Sequence, residues 1–195
     1  SPLSTKTWPV NVCGLPTAFV PLLPIVIFAL TYCFSAGPEP PGPLGMPTVL
    51  VPLLLALDQT LKLWALEHLS PVPKPLLGDL LYLTLVRNTG AGFGLFQGQA
   101  PLLGLLSFLV GAGLLLLLAR RRYPPLPALA LSLLAAGALG NGVDRLGRGW
   151  VVDYLDLGTS LPLIANFPVF NLADVCVTLG AVLLLLAPRR RRRWI

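Results

Sequence analysis

Residues 137–174 read GALGNGVDRLGRGWVVDYLDLGTSLPLIANFPVFNLAD. Four of the chain's 8 acidic residues lie in this stretch: Asp144, Asp153, Asp156 and Asp174. Two asparagines, Asn141 and Asn171, each stand three positions before one of these aspartates. Apolar segments flank the stretch on both sides, and carboxylates in or beside a membrane are costly and usually mark function. We therefore expect the rest of the chain to be arranged around this polar segment.

The composition of the whole chain favours a membrane protein. Of its 195 residues, 55% are hydrophobic and 11% are charged, whereas ordinary soluble domains carry about 25% charged residues. So few charged side chains leave too little polar surface to cover a globule in water. The chain is therefore predicted to be an integral membrane protein, and its length suits one domain.

The net charge of +6 comes mainly from two arginine clusters, Arg120–Arg122 and Arg189–Arg193. Each cluster directly follows an apolar run, which is typical of the cytoplasmic flank of a membrane span. A surface that binds nucleic acid would instead interleave basic and aromatic residues on a polar face. The charge pattern therefore indicates membrane topology, with no nucleic-acid partner.

The cysteines and the histidine give little support for metal or covalent chemistry. The three cysteines (Cys13, Cys33 and Cys176) show no CxxC or other metal-ligand spacing. A zinc site usually recruits several such ligands, and a Ser/His or Cys/His nucleophile would depend on the single histidine, His68. We expect no metal and no cofactor.

Four apolar stretches are long enough to cross a bilayer as helices. These predicted spans lie at about 47–69, 101–119, 125–143 and 168–187. Between the first two, residues 81–86 are rich in strand-forming side chains, and four glycines follow within 90–98. We expect a strand, a glycine-rich turn and a second short strand here, outside the hydrocarbon or packed on protein, because exposed sheet edges cannot lie in lipid.

The first 45 residues form an N-terminal extension of a different kind. Residues 16–34 are apolar over a length that could just span a bilayer, as a leader or an extra span, but they carry three prolines, and a proline-rich linker follows at 37–45. The chain's only methionine, Met46, stands immediately before the first well-formed helix. We expect the functional protein to begin near Met46, with one functional domain over 46–195.

The arginine clusters set the expected orientation. If both clusters are cytoplasmic, the C-terminus is cytoplasmic and the segments 70–100 and 144–167 lie on the outer side of the membrane. The polar motif residues then gather near that outer face from four separate segments. They are Asp58, Lys62, Asn88, Gly90, Asn141, Asp144, Arg145, Asp153, Asn171 and Asp174.

Asp153 and Asp174 are the predicted reactive pair. Two carboxylates that share one water cannot both ionise, so one stays protonated. The ionised carboxylate takes a proton from water and the protonated one polarises a carbonyl, which is general acid/base hydrolysis without metal or covalent intermediate. Asp156, three residues after Asp153, is the competing candidate in a less constrained and more peripheral context. A small transporter or ion-translocating protein using the same carboxylates is the alternative function, and a non-enzymatic assembly factor is a third.

The other polar residues have expected supporting roles. Asp58 and Lys62 are spaced i,i+4, so both project from one helix face, either as a plain ion pair or as a polar anchor beneath the site. Asp144 and Arg145 are expected to pair and brace the end of the third helix. Asn141 and Asn171 can both donate and accept hydrogen bonds, and Asn88 before the glycine-rich loop suits binding of a substrate backbone.

Five motifs occur in a single order along the chain. They are LDQTLK at 57–62, VRNTGAGFGLF at 86–96, GALGNGVDRL at 137–146, VVDYLDL at 151–157 and FNLADV at 170–175. Together they resemble the bacterial lipoprotein signal peptidase family, also called signal peptidase II. The resemblance covers roughly residues 46–187, and the proline-rich first 45 residues depart from the family pattern, as does the linker segment 157–166.

The resemblance implies an all-α integral membrane protein with four transmembrane helices, a small β-cradle and an extra loop on the outer, periplasmic face. It implies an aspartic endopeptidase that removes signal peptides from diacylglyceryl-modified prolipoproteins, N-terminal to the lipidated cysteine. Carried over by motif, the catalytic dyad is Asp153 and Asp174. The supporting positions are Asp58, Lys62, Asn88, Asn141, Asp144, Arg145 and Asn171.

The resemblance also implies where the protein works and with what. The expected location is the bacterial cytoplasmic membrane, with several spans and the active site near the outer face. The expected partners are lipid-modified prolipoproteins and membrane lipids, and the cyclic peptide globomycin is the expected inhibitor. The protein is expected to act as a monomer.

Overall fold

The computed structural model describes residues 46–90, 98–158 and 167–187. The elements in chain order are α1 (Met46–His68), β1 (Lys74–Leu77), β2 (Leu81–Asn88), α2 (Ala100–Arg120), α3 (Pro125–Arg148), β3 (Val151–Leu157) and α4 (Leu172–Leu186). The predictions for residues 1–45, for most of the glycine-rich turn with its second strand, and for Arg189–Arg193 lie outside the described residues.

Within the described residues, three helices are long and apolar enough to cross a membrane: α1, α2 and α3. Helix α4 is apolar but has only 15 residues, whereas a span needs about 20. The helix predicted over 168–187 begins later, at Leu172, and is shorter than a full span. The cause is local, because Phe170 is extended and its backbone pairs with Leu155 of β3.

Helix α3 is the central helix and contacts α1, α2 and α4. Its buried side consists mainly of alanine, glycine and leucine, and Leu131, Leu134 and Ala135 form the core with Val51 of α1 and Leu184 of α4. Small side chains let neighbouring helices approach closely, which is how helices associate in membranes.

The three strands form one antiparallel sheet in the order β1-β2-β3. Strand β3 carries Asp153, and β1 was not predicted. A bulge between Leu83 and Val86 shifts the register of β2, so that Val86 lies opposite Asp153. The sheet packs beside the last turns of α1, where Ala65 is fully buried against Val152 and Tyr154.

Helix α3 continues to Arg148, five residues beyond its predicted end. Its C-terminus is closed by Gly149 in the left-handed conformation (φ 79°), whose N–H donates to the Arg145 carbonyl. Glycine is favoured there because it has no Cβ. Asp144 and Arg145 therefore lie in the last two turns of α3, and the chain then turns sharply into β3.

Candidate active site

Asp153 lies on β3 and is 2% exposed. Both of its carboxylate oxygens accept a hydrogen bond from an asparagine side chain. Asn88 Nδ2, from β2, donates to Oδ2 over 2.9 Å, and Asn171 Nδ2 donates to Oδ1 over 2.7 Å. A buried carboxylate needs such donors to be tolerated, and the arrangement fixes the direction of Asp153.

Asp174 lies in the first turn of α4, as one half of a capping box. The side chain of Asn171, the N-cap residue, accepts from the Asp174 N–H over 3.0 Å, and Asp174 Oδ2 accepts from the Asn171 N–H over 3.2 Å. The other oxygen, Oδ1, accepts from Asn141 Nδ2 over 2.8 Å. The helix N-terminus itself favours a carboxylate.

Asn171 connects the two aspartates. Besides Asp153, its side-chain amide contacts Asn141 Oδ1 at 3.1 Å and the Val152 carbonyl at 3.2 Å, while its backbone N–H contacts Asp174. One fully buried side chain thus joins β3, α3 and α4. The sequence placed Asn171 in the fourth helix, whereas the structure places it just before that helix, as its cap.

The surroundings of Asp153 change its acidity. Burial raises the pKa of Asp153 from its ordinary value of 3.8 to about 7, and the negative charge of Asp174 adds to this rise. The amides of Asn88 and Asn171 and the charge of Lys62 act in the opposite direction. Two neighbouring carboxylates in this condition can hold one proton between them near neutral pH.

A buried ion cluster lies beneath the two aspartates. Lys62, with no exposed surface, contacts Asp58 Oδ2 at 2.8 Å and Asp144 Oδ2 at 3.0 Å. Its ammonium also donates to Asn141 Oδ1 over 3.0 Å, and Asp58 Oδ1 accepts from the Ala173 N–H over 3.0 Å. Asp58 and Lys62 are therefore an ion pair and an anchor at once, because the pair ties α1 to α3 and α4.

The ion pair predicted between Asp144 and Arg145 is wrong. Asp144 pairs with Lys62 and with Arg148, and Arg145 Nη2 instead donates to the Gly90 carbonyl over 2.9 Å. The reason is helical geometry: residues i and i+1 do not face each other, whereas i and i+4 do. Arg145 is buried and holds the start of the glycine-rich loop.

Asp156 is buried, which corrects its predicted peripheral, less constrained setting. It lies opposite Tyr82 in the sheet, whereas Asp153 lies opposite Val86. Successive side chains of a strand alternate between faces, so residues three apart point to opposite faces. Among the described residues, Asp156 shares no hydrogen bond with the network around Asp153.

Two members of the network were missed from the sequence, Gln59 and Arg148. Gln59 Nε2 lies 3.2 Å from each of three acceptors: Asp58 Oδ2, the Gly140 carbonyl and Asp144 Oδ1. Arg148 Nη1 contacts Asp144 Oδ1 and, at 3.3 Å, Gln59 Oε1. The i,i+4 spacing of Asp144 and Arg148 was the available signal for the second residue.

The arrangement can support hydrolysis by acid/base catalysis. The carboxylates of Asp153 and Asp174 are held by hydrogen-bond donors, and both contact Asn171. The pKa of at least one of them, Asp153, lies near neutral pH. Such a pair can remove a proton from water and give one to a carbonyl oxygen. Within the described ranges, no group of three or more His, Cys, Asp or Glu side chains is placed to hold a metal ion.

Two solved structures have a similar fold, and both are titled as structures of a bacterial membrane enzyme. The first has a TM-score of 0.65 and 26% sequence identity, and the match covers 76% of this chain and 93% of that chain. The second has a TM-score of 0.63 and 27% identity, covering 72% of this chain and 90% of that chain.

Sequence comparison gives the family. The lipoprotein signal peptidase of Deinococcus radiodurans is 41% identical over 164 residues, covering 77% of this chain and 84% of its own length. The lipoprotein signal peptidase of Synechococcus sp. is 44% identical over 142 residues, covering 71% of this chain and 91% of its own length. The family model described as signal peptidase (SPase) II matches residues 50–188. By these matches, the chain belongs to the signal peptidase II family.

Proposed function

We propose that this protein is a membrane aspartic endopeptidase that removes the signal peptide from diacylglyceryl-modified prolipoproteins, cutting on the N-terminal side of the lipidated cysteine. The observation that carries the proposal is the joined pair Asp153 and Asp174. They are linked through Asn171 and lie where the sheet meets the ends of the apolar helices. The family supports cleavage of prolipoproteins.

In the proposed reaction the two aspartates share one proton. The ionised carboxylate takes a proton from a water molecule, which attacks the scissile carbonyl carbon. The protonated carboxylate donates to the carbonyl oxygen as the tetrahedral intermediate forms, and a proton is then returned to the leaving amine. A pKa near 7 for Asp153 suits this exchange, because a catalytic acid or base works best near the operating pH.

The surrounding residues position this pair. Asn88, Asn141 and Asn171 hold the carboxylates by side-chain amides. Arg145 and Asn88 hold Gly90, whose carbonyl accepts from Arg145 Nη2 over 2.9 Å and whose N–H donates to Asn88 Oδ1 over 3.1 Å. Asn88 and Gly90 are thereby fixed beside Asp153, a position that suits binding of a substrate backbone. Asp58, Lys62 and Asp144 form the rigid base.

The topology is part of the proposal. Helix α4 completes a fourth span with the apolar residues that flank it, and the site faces the outer side of the bacterial cytoplasmic membrane. The arginine clusters support a cytoplasmic C-terminus. The functional unit is the domain over 46–195, acting as a monomer, with the extra loop of the family on the outer face.

A processing assay tests the proposal. Purified protein in lipid vesicles is given a diacylglyceryl-modified precursor or the same precursor without lipid, each with and without globomycin. We expect cleavage of the modified precursor alone, with the new N-terminus at the lipidated cysteine, and inhibition by globomycin. Equal cleavage of the unmodified precursor, or no cleavage of either, would overturn the proposal; ion flux without cleavage would favour a transporter.

A further inference from the structure

The side chains of Arg148 and Gln59 both contact one oxygen of Asp144, and we call this arrangement the clasp. Arg148 Nη1 contacts Asp144 Oδ1 and also lies 3.3 Å from Gln59 Oε1. The amide nitrogen of Gln59 reaches the same Asp144 oxygen at 3.2 Å. The Arg148 side chain is 25% exposed, while that of Asp144 is fully buried. Arg148 thus lies between the buried ion cluster and the protein surface.

The charges of the cluster balance only when Arg148 is counted. The buried groups are two carboxylates, Asp58 and Asp144, and one ammonium, Lys62. Arg148 supplies the second positive charge. Without it, Lys62 alone would have to neutralise both carboxylates in a buried setting, where an uncompensated charge is strongly unfavourable. Lys62 is also the donor that holds Asn141.

The other oxygen of Asp144 connects the clasp to the reactive strand. Asp144 Oδ2 accepts from the Val152 N–H over 3.2 Å, and Val152 directly precedes Asp153. The chain between them makes the sharp turn through Gly149. The carboxylate of Asp144 therefore fixes the corner between α3 and β3, and with it the backbone from which Asp153 projects.

We propose that Arg148, supported by Gln59, is a positioning residue for the aspartic pair. It neutralises and orients Asp144, which sets the place of Asp153, and it shares with Lys62 the neutralisation of Asp144, so that Lys62 can also hold Asn141. This inference rests on the proposed function and deepens it. Arg148 acts through Asp144 and does not touch the reacting atoms.

The proposal includes an electrostatic consequence. The charges that act directly on Asp153 are those of Asp174 of α4, Lys62 of α1 and Arg145 of α3. Asp58 and Asp144 pair with Lys62, and Arg148 pairs with Asp144, so these three groups act on Asp153 from further away. Removal of the Arg148 charge makes this set more negative, which favours the protonated form of a carboxylic acid. The midpoint of the Asp153 titration then moves to higher pH, and the acidic limb of the activity profile moves with it.

The test compares Arg148→Gln with the charge-conserving Arg148→Lys, each at the processing assay over a range of pH. We expect Arg148→Gln to lower kcat by about tenfold, as a misplaced catalytic group does, with KM changed less than twofold and the acidic limb at higher pH. Arg148→Lys should recover most of kcat and the original profile. Arg120, an exposed arginine in the last turn of α2, supplies the matched control Arg120→Gln.

A second readout does not require turnover. The carboxyl carbon-13 shift of Asp153, assigned from the signal lost in Asp153→Asn, is followed against pH in wild type, Arg148→Gln and Gln59→Ala. We expect a higher midpoint in Arg148→Gln and an unchanged midpoint in Gln59→Ala, which keeps the charge. If Arg148→Gln retains the wild-type midpoint and kcat, the inference is wrong. If wild type never cleaves the precursor, the proposed function fails while this titration still decides the role of Arg148.

Discussion

At the scale of the single residue, Asp153 is a buried carboxylate with one side-chain amide donor on each oxygen. Its two oxygens accept from Asn88 and Asn171, yet burial still raises its pKa to about 7. Two amide donors therefore do not fully replace the water that a carboxylate loses on burial. A buried carboxyl group kept in this state should weaken the fold that holds it.

The cost of ionising Asp153 predicts a pH dependence of stability. Between pH 3.8 and about 7, the folded protein keeps a proton on Asp153 that the unfolded chain has released. Raising the pH through this window therefore destabilises the wild type. Asp153→Asn lacks this contribution, so the Tm of the variant minus that of wild type should increase from pH 4 to pH 7 and then level off.

Thermal unfolding in detergent micelles, followed by helical circular dichroism, measures this difference. The trend with pH is the informative quantity, because a constant offset from changed hydrogen bonds to Asn88 and Asn171 does not alter it. A Tm difference that stays flat or decreases between pH 4 and pH 7 would show that Asp153 ionises freely in the folded protein.

At the scale of the elements, close contact between helices decides which substitutions the fold accepts. Gly137 of α3 is the clearest case. A Cβ at Gly137 would lie 2.4 Å from the Ala173 carbonyl oxygen of α4. The obstacle is backbone that also carries the Ala173 N–H bonded to Asp58, so it cannot move without disturbing the ion cluster. Gly113 of α2 has no atom within 4 Å of the same position.

These two glycines give a matched pair of variants. Gly137→Ala should lower the free energy of unfolding by roughly 2 kcal/mol, since overpacking at a close contact forces the backbone apart. Gly113→Ala should leave it unchanged or raise it by about 0.5 kcal/mol, from the entropy that glycine loses in a helix. Chemical denaturation in micelles measures both, and equal values for the two variants would contradict the close contact.

The elements could be predicted where composition alone decides them. Apolar runs of sufficient length mark α1, α2 and α3, and strand-forming residues mark β2. The last turn of α3 was missed because Asp144, Arg145 and Arg148 look like loop residues, and they are tolerated in a helix only through partners on α1 and on Gly90. Strand β1 was missed because Pro75 interrupts it, which only an edge strand accepts.

At the scale of the whole molecule, the sequence order of the motifs predicts a single polar site, and the structure brings the residues of all five motifs into one network. What could not be predicted is which side chains meet. Helix rotation and the sharp turn at Gly149 select Arg148 over Arg145 as the partner of Asp144, and they bring in Gln59. These pairings depend on three-dimensional packing, and the spacing of residues in the sequence gives only a weak signal for them.

The alternation of side chains in β3 bears on the choice between its two aspartates. Asp153 faces Asn88 and Asn171, and Asp156, three positions along, faces the other side of the sheet. Replacement of Asp156 should therefore leave Asp153 and Asp174 in place, which makes Asp156→Asn the matched control for changes at either of these two residues.

The most direct test measures cleavage of a diacylglyceryl-modified precursor in lipid vesicles by wild type, Asp153→Asn, Asp174→Asn and Asp156→Asn, each shown to be folded by circular dichroism. The account predicts that either change in the pair reduces cleavage to background, while Asp156→Asn cleaves at a rate within about threefold of wild type, as expected for a group outside the reacting atoms. Near-normal cleavage by Asp153→Asn or Asp174→Asn would contradict the aspartic mechanism.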